Sequence, residues 1–235
     1  MEYIIRKSVF LKEFVEGVDL MAAMLQNEIE QYRRTLDIKK DQKRYRFIMR
    51  GVDIFLSFIG LIFVSPIMLI TALAIKLESP GPIIYKQIRC GQFGKEFILY
   101  KFRSMRKDAE SGTGAVWAQR NDPRVTRVGS FIRKTRIDEL PQLVNIIRGD
   151  MSLVGPRPER PELIEKFERE TPGFKRRMLV KPGLTGLAQV EGGYELTPDE
   201  KAKMDEEYIL NRSIGLDFKI IIKTVGVVLT GYGAR

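Results

Sequence analysis

GVDIFLSFIGLIFVSPIMLITALAI, residues 51–75, is the longest apolar stretch of the chain, and Asp53 is its only charged residue. At ~1.5 Å per residue this stretch would form ~37 Å of helix, enough for the ~30 Å hydrocarbon core of a bilayer. It starts far from the N-terminus and lacks a small-residue cleavage site, so it does not resemble a cleavable signal peptide. Because the stretch is apolar on every face, it favours a membrane segment over a helix buried in a soluble core.

Two features argue against a simple crossing of the membrane. Pro66 removes a backbone hydrogen bond in the middle of the segment, and Ser65 can satisfy a freed carbonyl group. Basic residues stand on both sides: Lys39, Lys40, Lys43, Arg44, Arg46 and Arg50 before it, and Lys76, Lys86, Arg89, Lys95, Lys101 and Arg103 after it. The positive-inside rule would keep both flanks in the cytoplasm. We therefore predict a re-entrant helical hairpin over residues 46–76, hinged at Ser65-Pro66, although a proline-kinked transmembrane helix fits the residues equally well.

Composition narrows the class of protein. The chain has 235 residues, 44% of them hydrophobic, with a formal net charge of +10, one cysteine and no histidine. One cysteine excludes an intramolecular disulfide and fits a reducing compartment. The basic charge suits nucleic acid, anionic membrane lipids or phosphorylated substrates. No nucleic-acid-binding motif accompanies it, so we expect no nucleic acid as a partner.

Residues 1–45 are predicted to form a separate helical appendage. Their apolar residues follow a 4-3 spacing: Leu11, Val15, Val18, Ala22, Leu25, Ile29, Tyr32 and Leu36. That spacing is typical of a coiled-coil seam, which would make a homodimer. One amphipathic helix lying on the domain or on the membrane explains it equally well.

Residues 77–235 are predicted to form a small mixed domain of the α/β (α+β) class, with a β-hairpin and several helices. The hairpin covers residues 83–105, with the turn at CGQFGK, and would present Lys101 and Arg103 on one face. Those two cations would face an anionic site or protect a strand edge. A helix is expected from Val125 to Ile137, and another between Pro141 and Gly149. The apolar residues from Ile214 to Gly231 predict an interfacial helix.

The pair Asp138-Glu139, inside RIDELPQL, is the strongest sign of chemistry in the chain. Adjacent carboxylates repel each other, and such pairs are typical of cation binding or proton transfer. Without histidine, nucleophilic and metal-binding roles fall to carboxylates, Lys, Tyr or Cys90. A structural alternative is that Asp138 is the N-cap of the next helix.

Two further loops have the composition of anion-binding sites. In Gly155-Pro156-Arg157-Pro158, the prolines restrict the backbone, so that the Arg157 guanidinium starts from a fixed position, as suits a phosphate. In Lys181–Gly186, the glycines would let backbone N–H groups approach an anion. A structural turn explains either loop as well.

These stretches together resemble the bacterial sugar transferases, the monotopic phosphoglycosyl transferases. The matching segments are KLESPGPIIYKQIRCG, FILYKFRSM, TRIDELPQLVNIIRGDMSLVGPRP and KPGLTGLAQV, within a resemblance that covers about residues 45–235. The resemblance implies transfer of a sugar-1-phosphate from a nucleoside-diphosphate sugar, typically a UDP-sugar, to undecaprenyl phosphate, with release of nucleoside monophosphate. It also implies a location at the inner leaflet of the bacterial cytoplasmic membrane and favours the re-entrant form of the segment.

The resemblance also implies roles for individual residues. Asp138 would be the nucleophile of a ping-pong reaction, and Glu139 would help to hold Mg²⁺ with Asp138 or assist in deprotonating the lipid phosphate. Arg157 and Arg133 would bind phosphates, although Arg133 could instead form a salt bridge with the acidic dyad, Asp138 and Glu139. Lys101 and Arg103 are further candidates for phosphate binding.

Three rival interpretations remain at this point. A spanning anchor could carry a classical nucleotide-sugar glycosyltransferase, but neither an Asp-x-Asp motif nor a Rossmann fingerprint is present. A non-catalytic, membrane-anchored scaffold of a polysaccharide assembly complex would need neither Asp138 nor Glu139. A nucleic-acid binder rests on charge alone.

Overall fold

The fold is taken from a computed structural model, which describes residues 43–107, 109, 122–193 and 196–230. The chain divides into two compact units, Met1–Phe47 and Ile48–Arg235. All secondary structure given below belongs to the second unit, apart from the beginning of the first helix. The predicted appendage of residues 1–45 lies almost wholly outside the described residues, so its coiled coil and the homodimer stay predictions.

Helices predominate in the described part of the chain, which has seven α-helices and four short strands. In chain order the elements are α1 (Lys43–Glu78), β1 (Ile84–Cys90), β2 (Glu96–Phe102), α2 (Arg127–Lys134), α3 (Gln142–Arg148), β3 (Ser152–Val154), α4 (Pro161–Glu170), β4 (Gly183–Thr185), α5 (Leu187–Glu191), α6 (Pro198–Asn211) and α7 (Ile214–Thr230). The described residues also form 3-10 turns at Gln92–Gly94, Ile137–Glu139 and Phe174–Leu179. The predicted mixed helix-and-sheet class is confirmed in this form.

The predicted hairpin is present and forms a small sheet, one of two in the described residues. β1 and β2 pair antiparallel from Ile84 opposite Phe102 to Cys90 opposite Glu96. Leu99 of β2 is buried, and it packs with Leu143 and Ile146 of α3. Because side-chain directions alternate along a strand, Lys101 lies on the same face as Leu99, directed toward the interior of the domain.

The second sheet consists of β3 and β4, which are parallel, with Ser152 opposite Gly183 and Val154 opposite Thr185. Parallel strands require a crossover, and here α4 and the turn Phe174–Leu179 supply it.

The long apolar segment forms α1, which packs against the domain along one narrow stripe. Before Pro66 the Asp53 carboxylate accepts hydrogen bonds from Leu153 N at 2.9 Å and Ser152 Oγ at 3.1 Å. After Pro66 the buried Ile75 packs with Phe102 and Ile132. Both halves of the helix therefore contact the same domain.

The faces of α1 that point away from the domain are exposed. By length and composition, α1 could cross a membrane. Large exposed side chains include Phe55, Phe58, Ile62, Phe63, Leu69 and Ile70. The helix continues through Pro66, and Ser65 Oγ donates to the Ile62 carbonyl at 2.8 Å. Ser65 thus supplies the compensating hydrogen bond expected beside a proline, within one helical element.

The helix predicted near the C-terminus is α7, and it has two different faces. Asp217 and Ile220 are buried against the domain. The outer face carries a continuous row of exposed apolar side chains: Ile214, Phe218, Ile222, Val225 and Val228.

Candidate active site

The acidic pair lies on a tight turn of its own between two helices. The expected helix from Val125 to Ile137 is shorter in the structure and ends at Lys134. Arg136 then adopts φ 59° and ψ 11°, a left-handed conformation that costs a residue with a side chain ~1–2 kcal/mol. The chain turns there into the 3-10 turn Ile137–Glu139, and Asp138 is therefore not the N-cap of α3.

The two carboxylates have different partners, although both residues are only 8% exposed. Glu139 Oε1 accepts hydrogen bonds from Arg157 Nη2 at 2.5 Å and from Lys101 Nζ at 3.0 Å. The nearest cation to Asp138 that forms an ion pair with it in the described part of the chain is Lys101, at 4.0 Å from Oδ2. Glu139 is therefore fixed by two charge-assisted bonds, and Asp138 is held much more loosely.

This difference sets the two pKa values in opposite directions. Burial raises the pKa of Asp138 to about 6, with Glu139 adding to the rise and Lys101 opposing it. Burial alone would also raise the pKa of Glu139, but Arg157 and Lys101 hold it well below its ordinary range. At neutral pH Glu139 is a permanent anion, and Asp138 is an anion that is more basic than usual.

The pair faces a cavity of about 410 Å³, a size within the range of small-molecule sites. All six predicted site residues outside the membrane segment line this cavity: Lys101, Arg103, Arg133, Asp138, Glu139 and Arg157. Among the described residues, twelve lysines and arginines line it, against three carboxylates. Such an excess of positive charge suits a ligand with several negative charges.

Arg133 and Arg103, two of the predicted phosphate-binding residues, lie in different settings. Arg133 is in the last turn of α2, and its charge acts to lower the pKa of Asp138, consistent with a position near the dyad. Arg103 is 5% exposed and donates to the carbonyls of Pro80 at 2.9 Å and Ser79 at 2.8 Å. These bonds give Arg103 a structural role at the C-terminal end of α1, and its contact with phosphate stays a prediction.

The loop from Gly155 to Pro158 carries Arg157 to Glu139, and it is held by β4. Gly155 N donates to the Thr185 carbonyl, and Gly183 N donates to the Pro156 carbonyl, both at 2.9 Å. A Cβ atom on Gly183 would lie 2.1 Å from Gly155 N. The glycines of Lys181–Gly186 thus serve close backbone packing against this loop, which is the structural alternative to the anion-binding prediction.

Sequence reasoning missed several charged residues of the cavity wall. Arg89 and Glu159 form an ion pair at 3.1 Å that joins the end of β1 to the Arg157 loop. Arg177 pairs with Asp205 at 2.8 Å, and both side chains are almost fully buried. Nothing local marks these pairs, because the partners are far apart in sequence; the one available signal is that Glu159 directly follows Pro156-Arg157-Pro158.

The dyad alone offers too few ligand atoms for a magnesium ion, so substrate or water would have to supply the others. Among the described residues, no group of three or more Asp, Glu, Cys or His side chains is placed to hold a metal. Mg²⁺ is commonly bound by one or two carboxylates together with water and substrate phosphates. Asp138 and Glu139, on adjacent positions of one turn, fit that kind of site.

Comparison with known proteins places these features in a family. A family model described as bacterial sugar transferase matches residues 44–231. An Aeromonas hydrophila UDP-N-acetylgalactosamine-undecaprenyl-phosphate N-acetylgalactosaminephosphotransferase is 50% identical over 194 residues, 81% of this chain and 46% of that protein. An Escherichia coli UDP-glucose:undecaprenyl-phosphate glucose-1-phosphate transferase is 43% identical over 77% of this chain and 40% of its own length.

A relative of similar size is also found. The exopolysaccharide production protein PSS of Rhizobium leguminosarum is 42% identical over 192 residues, 78% of this chain and 96% of that protein. The chain spans less than half the length of the Aeromonas and Escherichia relatives. The residues that the family model matches include α1 apart from its first residue, the dyad and the cavity lining. The chain belongs to the bacterial sugar transferase family.

Proposed function

We propose that this chain transfers a sugar-1-phosphate from a nucleoside-diphosphate sugar, a UDP-sugar, to undecaprenyl phosphate, and releases nucleoside monophosphate. Such a reaction would initiate the assembly of a membrane-linked polysaccharide. The observation that carries the proposal is the unequal dyad, in which a basic Asp138 lies beside a permanently ionised Glu139 in a strongly cationic cavity. The names of the relatives specify UDP-sugars and undecaprenyl phosphate as substrates.

In the first step an oxygen of the Asp138 carboxylate attacks the phosphorus atom that bears the sugar. A bond forms between Asp138 and that phosphorus, and the bond from phosphorus to the bridging oxygen of the diphosphate breaks. Nucleoside monophosphate departs with the bridging oxygen, leaving a phosphosugar-aspartate. The raised pKa of Asp138 makes its carboxylate a stronger nucleophile than an ordinary aspartate, and a pKa of about 6 still leaves it mostly ionised at neutral pH.

In the second step a phosphate oxygen of undecaprenyl phosphate attacks the same phosphorus. The bond to Asp138 breaks, the carboxylate is restored, and a sugar diphosphate-linked lipid is formed. One soluble and one lipid substrate can thus use a single nucleophile in turn, which is a ping-pong scheme.

The cations near the dyad have a common task in this scheme. An anionic nucleophile must approach a diphosphate, so the repulsion has to be offset by fixed positive charge. Arg157 and Lys101 hold Glu139 and lie where phosphate oxygens would arrive, and Arg133 adds positive charge nearby.

Mg²⁺ is proposed as the cofactor, with Asp138 and Glu139 as its protein ligands. When bound it would neutralise charge on the diphosphate and on the departing phosphate. Excess EDTA should stop the transfer and added Mg²⁺ should restore it; full activity in the chelator would remove the metal from the proposal.

The proposed location is the cytoplasmic leaflet of the bacterial cytoplasmic membrane. Arg50, near the start of α1, donates to carbonyls of α3, and Glu78, at its end, accepts from Val128 N of α2. Because both ends of α1 contact one domain, a straight crossing would need the domain on both sides of the bilayer, whereas a re-entrant segment bent at Ser65-Pro66 would not. The exposed apolar row of α7 and its exposed lysines suit an interface with anionic lipid.

The first test is transfer itself. The purified protein is incubated with radiolabelled nucleoside-diphosphate sugars, Mg²⁺ and undecaprenyl phosphate in detergent, and label is measured in the organic phase. Wild type should transfer label from one UDP-sugar, and Asp138→Asn should not, whereas the surface control Asp199→Asn should retain activity. Absence of transfer from every donor would overturn the proposal in favour of a non-catalytic scaffold.

A further inference from the structure

The loop that presents Arg157 is anchored at its second end by the last residues of β1. Cys90 N donates to the Glu159 carbonyl at 2.9 Å. Arg89 Nη1 donates to the Pro158 carbonyl at 3.0 Å and to Glu159 Oε2 at 3.1 Å. The loop is therefore bonded immediately before Arg157 by β4 and immediately after it by β1.

The Arg89 guanidinium is itself held in one orientation. Its Nε donates to Gln87 Oε1 at 2.9 Å, and its Nη2 donates to the same oxygen. The Arg89 side chain is 16% exposed and that of Glu159 is 9% exposed, so the ion pair is shielded from water over most of its surface. A planar guanidinium that binds several acceptors at once is a rigid connector, which a lysine could not reproduce.

The consequence for Arg157 is restricted backbone motion. Pro156 and Pro158 each fix their own φ angle, and Pro158 also restricts the backbone of Arg157. Hydrogen bonds hold the loop at Gly155, Pro156, Pro158 and Glu159. The remaining conformational freedom is that of the Arg157 side chain, whose guanidinium forms an ion pair with Glu139. Catalytic groups need such support from neighbouring bonds to hold a productive geometry.

We propose that Arg89 is a positioning residue: together with Glu159 it holds the loop of residues 155–159 so that the Arg157 guanidinium meets the phosphate of the donor. This inference rests on the proposed transfer reaction, in which Arg157 contacts phosphate. Arg89 also lines the cavity, and the experiment must therefore separate support of Arg157 from direct contact with substrate.

A double-mutant cycle on kcat/KM for the UDP-sugar makes that separation. Arg89→Ala is measured in the wild-type background and in the Arg157→Ala background; if Arg157→Ala falls below detection, the hydrogen-exchange comparison described below decides. Arg176→Ala is the matched control, because Arg176 forms an exposed ion pair with Glu206. We expect Arg89→Ala to lower kcat/KM about ten- to hundredfold when Arg157 is present, since small displacements of a catalytic group have effects of this order.

In the Arg157→Ala background the same substitution should change kcat/KM less than about twofold, because the residue that it supports is gone. Equal losses in both backgrounds would overturn the proposal, since Arg89 would then act on substrate or on the fold by itself. No loss in the wild-type background would overturn it as well. Arg89→Lys, which keeps the charge, should behave as Arg89→Ala does; full activity in that variant would contradict the rigid-connector argument.

Amide hydrogen exchange supplies a readout that does not depend on turnover. The amides that bond the segment 155–160 to its neighbours, those of Gly155, Cys90 and Gly183, should exchange faster in Arg89→Ala than in wild type or in Arg176→Ala, while the helices keep their protection. Unchanged exchange at these amides would refute the anchoring role. If wild type shows no transfer while Arg89→Ala loosens the segment, the proposed function fails and the anchoring stands, so the two failures are distinguishable.

Discussion

Replacing Lys101 by methionine should move the titration of Asp138 to higher pH. The pKa of this buried carboxyl is about 6, and among the cations that lower it Lys101 has the largest effect. Methionine retains much of the side-chain volume and removes the charge. Ionised Asp138 would then lose its main partner, while Glu139 would keep Arg157.

The size of this shift follows from the distance. Lys101 Nζ lies 4.0 Å from Asp138 Oδ2. At an effective dielectric constant of ~20 two unit charges at this distance interact by ~4 kcal/mol, equivalent to about three pKa units. Water that enters the space of the ammonium group would reduce the shift, so we expect about one to three units. At pH 7 the ionised fraction of Asp138 would fall from about nine-tenths to between about one-half and one-hundredth.

The assay is the pH dependence of kcat/KM for release of nucleoside monophosphate, which reports groups of the free enzyme. Because the proposed attack requires an ionised Asp138, activity should rise with pH through about 6 in wild type and through a higher pH in Lys101→Met. Lys86→Met is the control, since Lys86 is exposed on the neighbouring strand opposite Tyr100. A lower plateau with an unmoved acidic limb would refute the electrostatic argument and would assign Lys101 to phosphate binding alone.

Three other substitutions test separate parts of the structure. Asp138→Asn should abolish the covalent adduct and raise the free energy of unfolding by up to ~3 kcal/mol at pH 8 but not at pH 4. The reason is that the raised folded-state pKa of Asp138 makes its ionisation destabilising as the pH rises from about 4 through 6. Thermal melting that finds the variant less stable than wild type at pH 8 would contradict this. Arg177→Ala should lower the free energy of unfolding by ~3–5 kcal/mol, since it leaves the buried Asp205 carboxylate without its partner. Arg176→Ala, which removes an exposed ion pair, should change the melting temperature little, and equal melting temperatures of the two variants would contradict the prediction. Changing Ser65-Pro66 to Ala-Leu should favour a straight, spanning helix. Cysteines introduced at the two ends of α1 should then be labelled from opposite sides of the membrane, and labelling of both ends from one side would refute the hinge.

Several elements could be predicted from the sequence because their signals are local. The alternation on either side of CGQFGK predicts the hairpin, and the strands Ile84–Cys90 and Glu96–Phe102 confirm it. Pro141 and Gly149 predict the limits of α3, where Gly149 indeed adopts φ 92° at the C-terminal end. In each case the residues that terminate the element also define its geometry, so no distant contact is needed.

Helix α2 ends at Lys134, three residues before the predicted end at about Ile137, for a reason that residue type does not reveal. Arg136 has a left-handed backbone, which is unusual for arginine, and composition gives no sign of it. The strain is compensated elsewhere, because burial of Asp138 and Glu139 and the bonds to Glu139 depend on this turn. A sequence pattern that expects glycine or asparagine at such a position will extend the helix too far.

The chemistry of the dyad depends on contacts that the sequence does not display. Asp138 and Glu139 are neighbours of similar acidity, so their order along the chain cannot say which of them stays ionised and which becomes basic. Lys101, 38 positions before Glu139, and Arg157, 18 positions after it, make that distinction by both binding Glu139. The hairpin delivers the first cation and the proline-bounded loop delivers the second, and β1 holds that loop through Arg89. The fold therefore separates two equivalent carboxylates into a fixed anion and a more basic carboxylate, and Lys101→Met disturbs one of the contacts through which it does so.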